Sequence, residues 1–299
     1  MSESRIRGIR PALLAGSVLI ALVVAGCSGN SARAGFTFKW DIFFQDLSPF
    51  SQGLLGAIYV TVVISVLSQA IGVVLGVFAA LGKMAKFLPF RTIANLYIWI
   101  FRGTPVLVQL AFGFYGLGAA HLWGWGDFTI FGFKVIGEIQ AGIVILGINE
   151  GAYMAEIIRA GILAVDPGQT EAAKSLGMTY GQTMSRVVLP QAARVIIPPL
   201  GNEFNNMLKT TSLLFVLGVI ETYNHYNIAQ GQNFQPFEEF LGCALWYLLM
   251  TTIWGIVQGR IERRFARGTT VTTQQGPGWR MRFFGRPSNA AGSDALGGH

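Results

Sequence analysis

Apolar residues in this chain gather into long uninterrupted blocks, with no sign of the strict alternation that marks half-buried strands. From Leu54 to Leu81 there is no charged residue. A helix rising 1.5 Å per residue needs about 20 mainly apolar residues to cross a hydrocarbon core roughly 30 Å thick. Five blocks meet that condition, at about 54–82, 93–120, 138–163, 192–220 and 237–259. The first is long enough to span with tilt. The fourth contains Pro198-Pro199, Gly201-Asn202-Glu203 and Lys209, so it is expected to be broken or kinked and packed against protein instead of lipid. A shorter run, Ala12 to Gly26, precedes them all. The expected fold class is all-α and polytopic, with five core transmembrane helices plus an N-terminal signal-like or anchor helix.

Composition agrees with lipid as the solvent. The 299 residues are 52% hydrophobic and 12% charged, against about 25% charged in a soluble domain. The net charge of +7 could point to nucleic acid, so the placement of the basic residues decides its meaning. All of the 22 lysines and arginines except Arg33, Lys39, Lys134 and Lys209 fall in segments on one side of the predicted spans. That side is the cytoplasm under the positive-inside rule, with the C-terminus inside. The basic excess is thus a topology signal, and no nucleic-acid partner is expected.

The chain divides into a signal-peptide-like or signal-anchor segment 1–27, an extracytoplasmic interfacial segment 28–53, a transmembrane domain 54–265 and a polar tail 266–299 read as disordered and cytoplasmic. Val24-Ala25-Gly26-Cys27 resembles a bacterial lipobox, which makes Cys27 a lipidation candidate. An uncleaved anchor explains the same run, and both readings stand. Phe36, Phe38, Trp40, Phe43, Phe44 and Phe50 mix with polar groups, as suits the outer interface, and Trp123 and Trp125 fall in the next external loop.

Between the third and fourth blocks lies DPGQTEAAKSLGMTYGQTMSRVVLPQAA, residues 166–193. Asp166-Pro167 with Gln169 reads as an N-cap, first helical residue and capping partner, and Gly177 suits a left-handed C-terminal cap. Thr179 with Gln182 repeats the capping pattern, and Pro190 is expected to stop this second helix near Leu189. The product is a rigid elbow with small residues, Ala172 and Ala173, on its flank.

The spacing Glu171-Ala172-Ala173, Gly177, Val187, Leu189-Pro190 resembles the EAA loop of ABC-importer permeases, with Val where Ile is usual. Phe101-Arg102-Gly103-Thr104-Pro105 with Val108-Gln109-Leu110, Asn149-Glu150-Gly151-Ala152-Tyr153, and Leu208-Lys209-Thr210-Thr211-Ser212-Leu213 resemble the polar amino-acid subfamily. The similarity covers about 40 to 265. It implies a permease subunit that pairs with a second permease, the same or a related chain, with cytoplasmic ABC ATPases and with an extracytoplasmic substrate-binding protein. The loop 166–190 would couple it to the ATPase, in a bacterial cytoplasmic membrane. The N-terminal lipobox-like run and the long tail depart from the pattern.

The chain has no Walker A sequence, so ATP and Mg are expected on the partner ATPase and no cofactor on this chain. Neither a metal-ligand cluster nor a Ser/His/Asp order stands out, and His121 and His225 fall in external segments. The subunit is therefore not expected to be an enzyme. Ionisable groups at membrane depth are functional candidates by default. Glu150 comes first: it could meet the ammonium of an amino acid or pair with a cation on a neighbouring helix. Asn149, Tyr153, Asn202, Glu203 and Lys209 complete the substrate-pathway candidates. Glu156 and Arg159 read as an ion pair, and Arg102 as an anchor at the inner end of the second span.

These readings converge on a permease that moves a polar amino acid by ATP-driven alternating access. An ion-coupled secondary amino-acid transporter would also carry an intramembrane Glu but has no use for a capped cytoplasmic elbow. A lipid-anchored scaffold would leave Glu150 unexplained.

Overall fold

The computed structural model describes residues 37–48, 53–130 and 133–265. The readings of segment 1–27, Cys27 and the tail 266–299 lie outside these residues. Among them the chain is helical apart from one short antiparallel hairpin, β1 (Phe128–Ile130) and β2 (Phe133–Val135).

Helix α1 (Trp40–Leu47) leaves Trp40 and Phe44 exposed and buries Phe43. Helix α2 (Leu54–Met84) descends from it and turns through Ala85-Lys86-Phe87 into α3 (Leu88–Gly103). Then comes the first correction: the predicted span 93–120 is two helices, α3 and α4 (Val106–Ala119), bent by 106°. Proline is the cause, because its ring pushes the preceding residue out of the α region, and Thr104 before Pro105 is extended (φ −117°, ψ 146°).

Helix α5 (Gly137–Leu163) runs parallel to α2 and is the most enclosed of the long apolar helices. Small residues make that closeness possible. A Cβ at Gly72 would lie 2.6 Å from Glu150 Cγ, and one at Gly76 would run into Met154 Cβ. Close approach of this kind replaces hydrophobic driving force where the solvent is itself apolar. Gly76→Val is therefore expected to open the α2–α5 seam, at about 1–3 kcal/mol for an overpacked contact. Loss of the monodisperse peak in detergent size-exclusion checks it, with Gly56→Val, which faces open space, as the unaffected control.

The elbow follows: α6 (Pro167–Ser175), then α7, built of three consecutive segments, Tyr180–Thr183, Met184–Val188 and Leu189–Thr210. Two expectations fail here. Pro190 does not end the second helix; Leu189 stays helical (φ −61°, ψ −40°), because Met184–Val188 widens into a π-turn in which the Leu189 N–H donates to Met184 O. Of the break or kink expected in the fourth span, a break at Pro198-Pro199 is absent: both lie inside continuous helix, so Asn202 and Glu203 sit on helical backbone and not on unwound chain. Its end is the irregular part: Thr211–Leu217 tightens to 3₁₀ and stops at Gly218 (φ +83°).

Helix α8 (Thr222–Asn233) is capped by Glu221, a buried carboxylate that accepts from the N–H groups of Tyr223 and Asn224 and the hydroxyl of Tyr247. Helix α9 (Pro236–Phe265) completes the fold and holds α1 through Lys39 N to Glu238 and Trp246 Nε1 to Leu47 O. Among the described residues three helices, α2, α5 and α9, are long and apolar enough to cross a membrane, or four spans if the bent α3–α4 pair is one. The predicted fourth span, carried by α7, is not among them by composition, since Arg194, Glu203 and Lys209 interrupt it.

Candidate functional site

Glu150 lies thirteen residues from either end of α5 (Gly137–Leu163), at its midpoint. At 1.5 Å per residue that places it about 20 Å from each end, near the middle of a bilayer. Its side chain is 5% exposed, and its Oε1 meets no hydrogen-bond partner among the described residues. No ion pair to Glu150 is present there either, so the neighbouring-helix cation expected as one of two readings is not seen within this subunit. A buried carboxylate oxygen without a donor is costly, and the Glu150 side chain borders a cavity.

That cavity has a volume of about 560 Å3 and is formed by the α3–α4 break, α5 and α7. Its polar lining includes Arg102, Asn149, Glu150, Tyr153, Glu203 and Asn206. The Arg102 guanidinium stands 5.3 Å from the centre of the Tyr153 ring, within cation–π range. Arg102, read as an anchor at the inner end of the span, also lines this cavity, because the bend at Thr104-Pro105 brings the end of α3 to the same wall as Glu150. Sequence spacing alone could not show this.

The break itself is held by amides. Gln109 Nε2 donates to Phe101 O (2.9 Å) and to Thr104 Oγ1 (2.8 Å), while Asn149 Nδ2 donates to Gln109 Oε1 (2.9 Å) and Phe101 O (3.1 Å). Asn149 therefore fixes the cavity wall as well as lining it. Gln109 had no role assigned from sequence, although the signal was present in its place four residues after Pro105.

The six pathway candidates do not form one group. Asn149, Glu150, Tyr153 and Glu203 share the cavity. Asn202 instead accepts from Gln258 Nε2 of α9 (3.1 Å), and Lys209 lines a separate groove with Ser212, Tyr223, Phe240, Cys243 and Tyr247. Asn206, to which the sequence reading gives no role, and Thr210, quoted there only within the 208–213 motif, follow Glu203 at helical spacing and complete the α7 wall.

Beyond the C-terminal end of α5 the elbow has the expected caps. Asp166 Oδ1 accepts from Gly168 N (2.7 Å), in place of a bond involving the Gln169 side chain. Gly177 is left-handed (φ +76°), with its N–H donating to Lys174 O and the Met178 N–H to Ala173 O. Thr179 and Gln182 form a reciprocal capping box. Glu171 and Ala172 face outward, but Ala173 is buried, so only half of the small-residue flank is available. Leu176 and Tyr180, 82% and 73% exposed on either side of Gly177, are the most exposed of the large apolar side chains that the elbow presents. Val187 is half-buried, and Leu189 and Pro190 are exposed.

Above the elbow, Glu156 binds both Arg159 (2.8 Å) and Lys83 of α2. The Glu156–Arg159 pair was expected; the Lys83 link, which ties α2 to α5, was not. On the opposite side the hairpin is closed by Asp127 and Lys134 (2.8 Å), and the Lys134 ammonium with the Gly137 N–H holds the Asp127 carboxyl below its ordinary range.

Comparison with known proteins places this architecture. The chain is 38% identical over 272 residues, 87% of its length and 81% of the relative's, to an arginine transport system permease protein, ArgU, of Corynebacterium glutamicum. It is 36% identical over 234 residues, 78% of its length and 94% of the relative's, to the L-cystine transport system permease protein TcyB of Bacillus subtilis. A crystal structure of an amino acid ABC transporter with histidines superposes with a TM-score of 0.65 at 37% identity, covering 77% of this chain and all of that one. Residues 72–267 match the family described as binding-protein-dependent transport system inner membrane component, and the chain belongs to that family.

Proposed function

We propose that this chain is the membrane-spanning permease subunit of an ATP-driven importer that carries a polar amino acid across the cytoplasmic membrane. The observation that carries the reading is the central cavity. An amino-acid zwitterion needs a cation for its carboxylate and an anion for its ammonium, and Arg102, Glu150 and Glu203 supply both signs within about 560 Å3. The unpartnered Glu150 Oε1 is the acceptor that such an ammonium would satisfy. Relatives named as arginine and cystine permeases support the amino-acid class.

Alternating access follows from the arrangement of parts. The elbow 166–190 docks on a separate ABC ATPase that binds ATP and Mg, with Leu176 and Tyr180 entering its surface. Because the second elbow helix is the first segment of α7, a displacement of the elbow is passed along α7 to Glu203, Asn206 and Thr210, which form one wall of the cavity. The π-turn at Met184–Val188 is the compliant point in that lever. A second permease, the same or a related chain, covers the exposed polar face of α7, and an extracytoplasmic binding protein delivers the amino acid. This places the C-terminus in the cytoplasm.

Mass spectrometry of the tagged protein, purified gently from its native membrane, tests the assembly. An ATPase with a Walker A sequence and a substrate-binding protein are expected among the co-purifying chains. Purification of the protein alone across several mild detergents would sink the proposal.

A further inference from the structure

A second cavity of about 490 Å3 opens between the cytoplasmic halves of α2 and α3. Its floor is made of small residues, Ala79, Gly82 and Ala94, and its rims carry Phe78, Phe90 and Ile93, each at least 60% exposed. The polar group in the lining, the Tyr97 hydroxyl, is already engaged, donating to Ile148 O at 2.5 Å. The groove therefore offers no hydrogen bonds and admits an apolar occupant. From Leu75 to Ala85 the helix rises about 15 Å, the depth of one leaflet of a core about 30 Å thick.

Charge at its mouth narrows the choice of occupant. Lys86 follows Ala85 on the lip, and Arg91 lies one turn before Ala94 on the same side of α3. Both are exposed, and neither makes an ion pair among the described residues. Lys83 differs, being neutralised by Glu156. No Asp or Glu occurs anywhere between Asp46 and Asp127 to compensate them. An apolar slot one leaflet deep under two unpaired cations matches the chemistry of an anionic phospholipid, with an acyl chain in the slot and the phosphate at the lip.

We propose that the α2–α3 groove is a binding site for an anionic phospholipid of the inner leaflet, held by Lys86 and Arg91. This rests on the orientation given under the proposed function, in which the 85–87 turn is cytoplasmic. The occupant sits against Gly82 of α2 and Ala94 of α3, and so bears on α3, whose C-terminal end lines the transport cavity.

The test uses the purified complex in nanodiscs of phosphatidylcholine doped with a photoactivatable phosphatidylglycerol or a photoactivatable phosphatidylcholine. Peptides covering 75–97 are expected to take up the anionic probe about tenfold more than the zwitterionic one, as two juxtaposed cations imply. Lys86→Ala with Arg91→Ala should remove that preference, and Ile93→Trp, which fills the slot and spares both charges, should reduce labelling by both probes. Equal labelling by the two probes would overturn the proposal, as would a cross-link from Lys86→Cys to a second permease chain. Lys86→Cys reacting with an impermeant maleimide from the extracytoplasmic side would overturn it through the orientation instead.

Discussion

Glu150→Gln is expected to cut uptake at limiting substrate by about a hundredfold. Truncating one partner of a buried charged contact costs about 2–5 kcal/mol, and each 1.4 kcal/mol is a factor of ten. The substitution keeps the shape of the side chain, which matters because Gly72 packs directly on Glu150 Cγ. It removes the charge of a carboxylate whose Oε1 has no hydrogen-bond partner among the described residues. The complex should therefore elute normally and retain its partners while transport fails. Measured as initial uptake rate against substrate concentration, the loss should fall on the apparent affinity first. Undiminished uptake would mean that Glu150 does not face the substrate.

Gly177→Leu is expected to uncouple the machine at its other end. A left-handed residue with a Cβ is strained by roughly 1–2 kcal/mol, and Gly177 has φ +76°. There is open space around it, so the effect comes from backbone conformation and from a new side chain beside Leu176 and Tyr180, not from a clash within this chain. Membrane insertion should be unaffected. The ratio of amino acid moved to ATP hydrolysed should fall by about tenfold or more, on the scale of one pre-organised contact. An unchanged ratio would reject the coupling role of the elbow.

Much of this arrangement was legible in the sequence, for reasons that differ by element. Helices α2, α5 and α9 read well because an uncharged or sparsely charged apolar block has one solution in lipid: backbone groups satisfied within the helix. The elbow read well because its capping signals are local, as Asp166, Gly177 and Thr179 show. Proline was where local reasoning failed in both directions. The restriction on the preceding residue was applied at Pro190, where the π-turn at Met184–Val188 absorbs it and the helix continues. It was not applied at Pro105, where it holds and turns the chain by 106°. What distinguishes the two is partly tertiary: at the Pro105 bend the freed Phe101 carbonyl is satisfied by Gln109 from the next helical turn and by Asn149 from the distant α5.

The candidate site followed the same division. Glu150 announced itself as a carboxylate inside an apolar helix, and Asn149, Tyr153 and Glu203 came with it. Arg102 did not, because its place beside Tyr153 depends on the bend. Asn202 and Lys209 were grouped with Glu203 by proximity in sequence, yet at helical spacing they point to other neighbours, Gln258 and the groove near Cys243. Leu176 and Tyr180 were hidden for a different reason. They are apolar residues within a polar loop, and their exposure emerges only when Ala173 and Val188 fill the interior of the elbow.

Uptake of labelled polar amino acids into proteoliposomes carrying the purified complex tests the central claim most directly. ATP is supplied on the elbow side, the binding protein on the other, and ion gradients are collapsed with ionophore. The account predicts accumulation that requires ATP and survives collapse of the gradients. Uptake that runs without ATP and stops when the gradients are dissipated would contradict it and assign the chain to ion-coupled transport.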